Sequence, residues 1–324
     1  MNDKHSHIPL TASLMALGAG IVWSFGGLFV RLTDDTNTSA WQYLVWRSVG
    51  VIAVVEIGSA IKGHRSRLIT AYRSGWVMIV GCLSLMLASV SYVYAVKNTT
   101  AINAALFASM TPLVTAVIAW LVLHERMDRL TVGAIMLAGI GLLIMVQGSS
   151  SAATSDGSHL SGDLAALLSA LGFAGYTVCV RSSASTDWSP ILPGYALMTI
   201  VLCGTVALAQ GQPIAPRAVD IGWALAHGSV LIVVGTLLFN AGSKRVPAGP
   251  MAVFAQTESV FVPLWVFIAL GERPGAWALV GATVILVAVI GKALLDARRA
   301  SRDTRRTAAD DPSVPTVPPY QATT

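Results

Sequence analysis

From residue 12 to residue 296 apolar runs of about 20 residues follow one another with only short polar breaks. A helix rising 1.5 Å per residue needs that length to cross about 30 Å of hydrocarbon. Ten such runs are expected, at 12–32, 38–61, 74–97, 100–123, 129–148, 160–181, 190–210, 219–243, 247–270 and 275–296. They are continuous and rich in Leu, Ala, Val and Gly, whereas a membrane β-barrel would show alternating segments of about 10 residues. The chain therefore reads as an all-α polytopic membrane protein. Composition agrees: 11% of its 324 residues are charged, against about 25% in soluble domains. The first run is followed at once by Arg31 and by no small-residue cleavage site, so it reads as a retained span rather than a signal peptide.

Lys and Arg collect on the cytoplasmic side of short loops. With the N-terminus inside, the inner segments hold sixteen of the 21, including Lys62, Arg65, Arg67 and Arg73 in one loop and six between Lys292 and Arg306. Outer segments hold Arg31, Lys97, Arg217 and Arg273, while Arg47 falls within the second run. Both termini should face the cytoplasm of a cell whose plasma (inner) membrane holds the protein. The net charge of +5 is this bias and points to anionic lipid near Arg298–Arg306, not to nucleic acid. Cys82, Cys179 and Cys203 all fall inside apolar runs and read as small packing residues without metal-ligand spacing.

The runs repeat. "NAALFASMTPLVTAVIAWLVLHER" (103–126) aligns with "GPMAVFAQTESVFVPLWVFIALGER" (249–273), and at that offset "GW" at 75–76 meets "GW" at 222–223 and Lys97 meets Lys244. "WSFGGLFVR" (23–31) likewise aligns with "FAGYTVCVR" (173–181). The expected organisation is a short N-terminus (1–11), a first five-helix repeat (12–148), an external linker (149–159), a second repeat (160–296) and a basic, then disordered tail (297–324). Five is odd, so the second half inserts upside down relative to the first. Inverted repeats are the architecture of alternating-access carriers.

Together, the 5+5 layout, the tryptophan in the first span, the arginine of "LVWRSVG" in the second, and the paired "LHERMDRLTVGAIMLAGIGLLI" and "LGERPGAWALVGATVILVAVI" resemble the drug/metabolite transporter superfamily, EamA-type branch. The resemblance covers about 12 to 296. It implies a ten-helix bundle with a central substrate cavity and, commonly, export of amino acids, other metabolites or drugs. Many members read "EPVF" where this chain reads "ESVF" (258–261), with its proline at Pro263.

Glu258 is a carboxylate about 11 residues, roughly 16 Å, from the inner end of its run, and a charge there must face protein, water or a partner. It reads either as a structural carboxylate or as a cavity-lining proton or substrate group; Gln256, Thr257 and Ser259 beside it make that turn polar. Arg47 lies at a similar depth. It could pair with Glu258, hold a substrate carboxylate or phosphate, or anchor helix-end carbonyls. Trp23, Tyr92, Tyr176 and Asn240 complete a candidate cavity suited to a ligand with a flat apolar part and polar groups, though each is also an ordinary packing or interfacial residue. His227 reads as bundle packing, Glu56 as a snorkelling or interhelical group, and Lys97 and Lys244 as interfacial groups.

No phosphate-binding G-x-x-x-x-G-K-[ST] motif occurs, which leaves secondary transport without an organic cofactor, with protons as a possible coupling ion. The leading expectation is a secondary-active exporter of a small metabolite or drug, acting as a monomer or homodimer. A channel or facilitative uniporter is the alternative. A membrane enzyme would need a catalytic set, such as H-E-x-x-H, that the chain lacks.

Overall fold

The computed structural model describes residues 10–33, 37–99, 101–108, 110–123, 129–152, 158–183, 185–243, 257–271 and parts of 275–298. Every regular element among them is helical. The first apolar run forms α1 (Leu10–Ser24) and α2 (Gly26–Arg31), interrupted at Phe25 just before the Gly26–Gly27 pair, whose missing side chains weaken helix preference. α3 (Ala40–Ile61) opens with a capping box in which Ser39 and Gln42 satisfy each other's backbone N–H groups. It ends at Gly63, whose φ of 65° lets His64 N donate to Ser59 O at 2.9 Å and so closes the helix. A short helix, α4 (Arg67–Arg73), precedes α5 (Trp76–Asn98).

The fourth run is again split, into α6 (Ala101–Ala108) and α7 (Thr111–Leu123), with the break just before Pro112, which cannot continue the hydrogen-bond ladder. α8 spans Arg129–Ala152, so helix continues through the first residues of the stretch expected as a linker; its serines and alanines carry no helix-ending signal. α9 (Ser158–Ser182) and α10 (Ile191–Ala209) are unbroken. The eighth run is α11 (Ala218–Ala226), a π-helical turn (His227–Ile232) and α12 (Val233–Ser243). The described part of the ninth is α13 (Thr257–Leu270).

Among the described residues five stretches are long and apolar enough to cross a membrane: Ala40–Ile61, Trp76–Asn98, Leu160–Ser182, Ile191–Ala209 and Ala218–Gly242. Shorter apolar helices lie at Leu17–Arg31, Leu113–Val122, Val132–Gly141 and Leu279–Ala288. Leu83, Leu164, Leu168, Val201, Leu237 and Ile268 stand exposed on the outside of the bundle, as lipid-facing side chains do. With lipid on the outside, apolar burial gives helices little reason to associate, so contact rests on close packing through small residues. α5 lies against α9, where a Cβ at Gly172 would stand 2.5 Å from Ala88 N; Ala166, Ala170 and Ala174 are fully buried on the same helix. α3 packs on α10, α1 on α12 and α6 on α13. The π turn meets α3 backbone to backbone, so that a side chain at Gly228 would collide with the Arg47 carbonyl.

Candidate functional site

α3 carries Tyr43 and Arg47 one turn apart, which sets both on one face. That face is the interior: Tyr43 is 0% and Arg47 2% exposed. The Tyr43 phenol lies 2.6 Å from His227 Nδ1, at the first residue of the π turn. The same imidazole reaches the break in the first span, with Nε2 3.3 Å from where a Gly26 Cβ would sit and its ring against Phe29. The guanidinium of Arg47 donates to Ser89 Oγ on α5, and its charge is felt at Tyr43, Tyr195, Cys203 and His227.

Tyr92 follows Ser89 by three residues on α5, so their side chains neighbour each other. Its hydroxyl is buried, without a hydrogen-bond partner, and would be 3.4 Å from a Cβ at Gly27. Val262 of α13 approaches Gly27 equally closely. Glu258, half-buried, sits one turn before Val262 on that helix face, and its carboxylate acts electrostatically on the Tyr92 phenol. Trp265, on the next turn of α13, stacks on Phe25 at 4.8 Å and donates to Ser24 Oγ at 2.9 Å, clamping the break between α1 and α2.

The structure thus brings Tyr92, within the field of Glu258, against the interrupted first span, and ties Arg47 to Ser89 one turn away from Tyr92 on α5. It does not join Arg47 to Glu258: the guanidinium is bonded to Ser89, and no ion pair links the two. Trp23, Tyr176 and Asn240 form a neighbouring group instead. The Tyr176 phenol donates to Asn240 Oδ1 at 2.6 Å, and Trp23 lies edge-on to Phe173 at 5.7 Å and against Phe239 at 5.4 Å. Gly235 leaves room for the Trp23 indole, since any side chain there would overlap it. Gln256 and Lys244 lie outside the described residues.

Away from the interior, Lys97 Nζ donates to Thr33 Oγ1 at 2.8 Å, and Glu56 accepts from Leu68 N at 2.8 Å, capping α4. Tyr43, Ser89 and Trp265 border this candidate site without having been expected from the sequence. For Tyr43 a signal existed, since it precedes the intramembrane Arg47 by one turn. For Ser89 and Trp265 there was none, because serines and tryptophans are common in such helices.

Chemically, the centre offers one fixed cation, one carboxylate, a neutral phenol and an imidazole, lined by bare glycine backbone. A polar solute could be held by such a set. The family profile described as "EamA-like transporter family" matches residues 10–147 and again 160–292. The chain belongs to the EamA-like transporter family. This EamA-like protein is 23% identical over 292 residues to "Uncharacterized transporter YyaM" of Bacillus subtilis (strain 168), a match covering 89% of this chain and 93% of that one. It is also 21% identical over 314 residues to "Solute carrier family 35 member G1" of Homo sapiens, covering 90% and 81% respectively. One solved crystal structure of a protein superposes with a TM-score of 0.63 at 20% identity, covering 89% of this chain and 98% of the other, and so shares the fold. As an EamA-like family member the chain is a multi-pass membrane transporter, not an enzyme, and its substrate is a small molecule.

Proposed function

We propose that the protein is a secondary-active exporter of a small metabolite across the plasma (inner) membrane. Two inverted five-helix halves, 12–148 and 160–296, rock around a midplane site, with both termini in the cytoplasm. The observation that carries this reading is the convergence of interrupted helices on one polar centre. The α1/α2 break touches Tyr92, Val262 and His227, and His227 opens the π turn that splits the eighth run. Discontinuous helices around a midplane site are how carriers of inverted-repeat design hold polar solutes.

The packing pattern supports the repeat as well. If spans one to five correspond to spans six to ten, the partner of the α5–α9 contact is the contact between α12 and α1, and both are extensive. The α3–α10 and α6–α13 contacts each map onto themselves. Trp23 and Phe173, at equivalent positions of the two halves, touch. The double match of one family profile has the same explanation.

Glu258 is the coupling group in this reading. It exchanges a proton during the cycle, since a charged side chain at the centre of a membrane-spanning helix costs about 2.5–3.5 kcal/mol. Metabolite profiling of overexpressing against deletion cells identifies the exported solute. Purified Glu258→Gln protein is then reconstituted with that solute, with and without a pH gradient. Loss of gradient-driven flux with folding intact is the expected result; flux and pH response equal to the unaltered protein would make Glu258 a structural carboxylate. Ohmic single-channel current in place of saturable flux would replace the carrier with a channel.

A further inference from the structure

Among the described residues Arg47 is a buried cation with no anion. Of the carboxylates among the described residues, Glu56 caps α4, Asp163 accepts from Thr99, Asp187 pairs with Arg67, Asp220 accepts from Thr38 and Glu258 faces Tyr92. None reaches the Arg47 guanidinium, whose one hydrogen bond goes to the neutral Ser89 hydroxyl and whose Nε is buried without a partner. A desolvated guanidinium left in that condition is strongly unfavourable, and lipid-embedded proteins retain one where it faces a path for solutes. One turn along α5 from Ser89, on the same face, stands the Tyr92 hydroxyl, also buried without a hydrogen-bond partner.

We propose that Arg47 is the docking point for an oxyanion, a carboxylate or a phosphate, of the transported molecule, so that the substrate is an anion. This rests on the reading that the bundle interior is the transport path. The planar fork of the guanidinium accepts such a group through two parallel N–H donors. One of those donors is the Nε–H that lacks a partner. The Ser89 hydroxyl, already on the guanidinium, can donate its own proton to the same oxyanion. The Tyr43 hydroxyl is already engaged with His227 Nδ1.

The test reads binding, not transport. Thermal unfolding of the detergent-purified full chain is followed by tryptophan fluorescence while acetate, benzoate, indole-3-acetate or inorganic phosphate is titrated in. The uncharged amides of the three carboxylates serve as controls at the same ionic strength. At least one oxyanion should raise the midpoint saturably while its uncharged counterpart, or chloride in the case of phosphate, does not. Whether carboxylate or phosphate gives the larger shift identifies the group carried. In Arg47→Gln the apparent affinity for that anion should fall about 10- to 100-fold, the range of a lost charge-assisted hydrogen bond, and Arg47→Lys should recover part of it. Should Arg47→Gln fail to fold, Ser89→Ala takes its place, with a smaller loss expected. Equal shifts by anions and their uncharged counterparts, no shift by any anion, or an unchanged response in the folded variants would overturn the proposal. Glu258-dependent flux without an anion response would leave the carrier reading standing and remove only this subsite.

Discussion

The phenol of Tyr43 and Nδ1 of His227 lie 2.6 Å apart, tying α3 to the π turn across 184 residues of sequence. Both side chains are almost wholly buried, so neither can exchange its partner for water. Tyr43→Phe should therefore destabilise by about 1–3 kcal/mol, the cost of an orphaned buried polar group. His227→Phe should do likewise, and the double variant should cost less than the sum of the two. Thermal unfolding of the purified proteins provides the check; strict additivity would show that the bond contributes nothing.

Two glycines in the bundle should respond in opposite ways to the same methyl group. At Gly58 of α3 nothing lies within 4 Å, and Gly58→Ala should shift stability by no more than roughly 1 kcal/mol, toward greater stability. At Gly228 the methyl would strike the backbone of Arg47, which cannot swing aside as a side chain can, and Gly228→Ala should cost at least about 3 kcal/mol. Folded yield in detergent separates the two; similar yields would mean that α3 and the π turn can move apart freely.

At the polar end of the bundle, Asp187 accepts from Arg67 Nη1 at 2.8 Å and from Ser189 N and Oγ, each at 3.0 Å. Partial burial raises its pKa, but the Ser189 bonds and the Arg67 charge outweigh that, and the carboxyl is held below the usual aspartate value. A depressed folded value means that the stabilisation is present above the unfolded pKa and is lost as the pH falls through the folded one. The pair is solvent-exposed, so its contribution is below about 1 kcal/mol. Asp187→Asn should remove a small acid-side slope from the stability profile and leave neutral-pH transport intact. An unaltered profile between neutral pH and the acid range would show the pair to be incidental.

Sidedness follows from the charge distribution. A reporter fused after Arg65 should be cytoplasmic and one fused after Ser150 external, as judged by enzymatic reporters active on one side only. The same side for both would contradict the inverted arrangement.

Membrane class and family were legible because both rest on dense, redundant signals: apolar length repeated along the chain, and paired motifs in one order. Arg47 and Glu258 were legible for the opposite reason, each being a charge set deep in an apolar run. Their surroundings were not. The donor Ser89 is 42 residues from Arg47, and nothing local marks one serine among many as its partner. Tyr176 and Asn240 appeared as separate candidates, and only folding shows that they bond to each other, apart from Tyr92 and Glu258. The interruption at Phe25 is written in Gly26–Gly27, whereas the π turn at "HGSVLI" has no proline to announce it.

That π turn bears on which length changes the eighth span can accept. Among its buried residues Asp220, Ala224, Gly228, Thr236 and Asn240 fall at multiples of four, a spacing that winds off the face of an ideal α-helix. One wider turn absorbs part of that drift. A residue lost inside the wide turn could be taken up by its closing to an ordinary one, whereas removing one between Val233 and Leu238 would rotate the rest of α12 by about 100° relative to α11. Phe239 and Asn240 would then leave Trp23 and Tyr176 and turn toward lipid. Homologous chains should accordingly vary in length before Ala218, or by one residue within this turn, far more readily than between Val233 and Asn240.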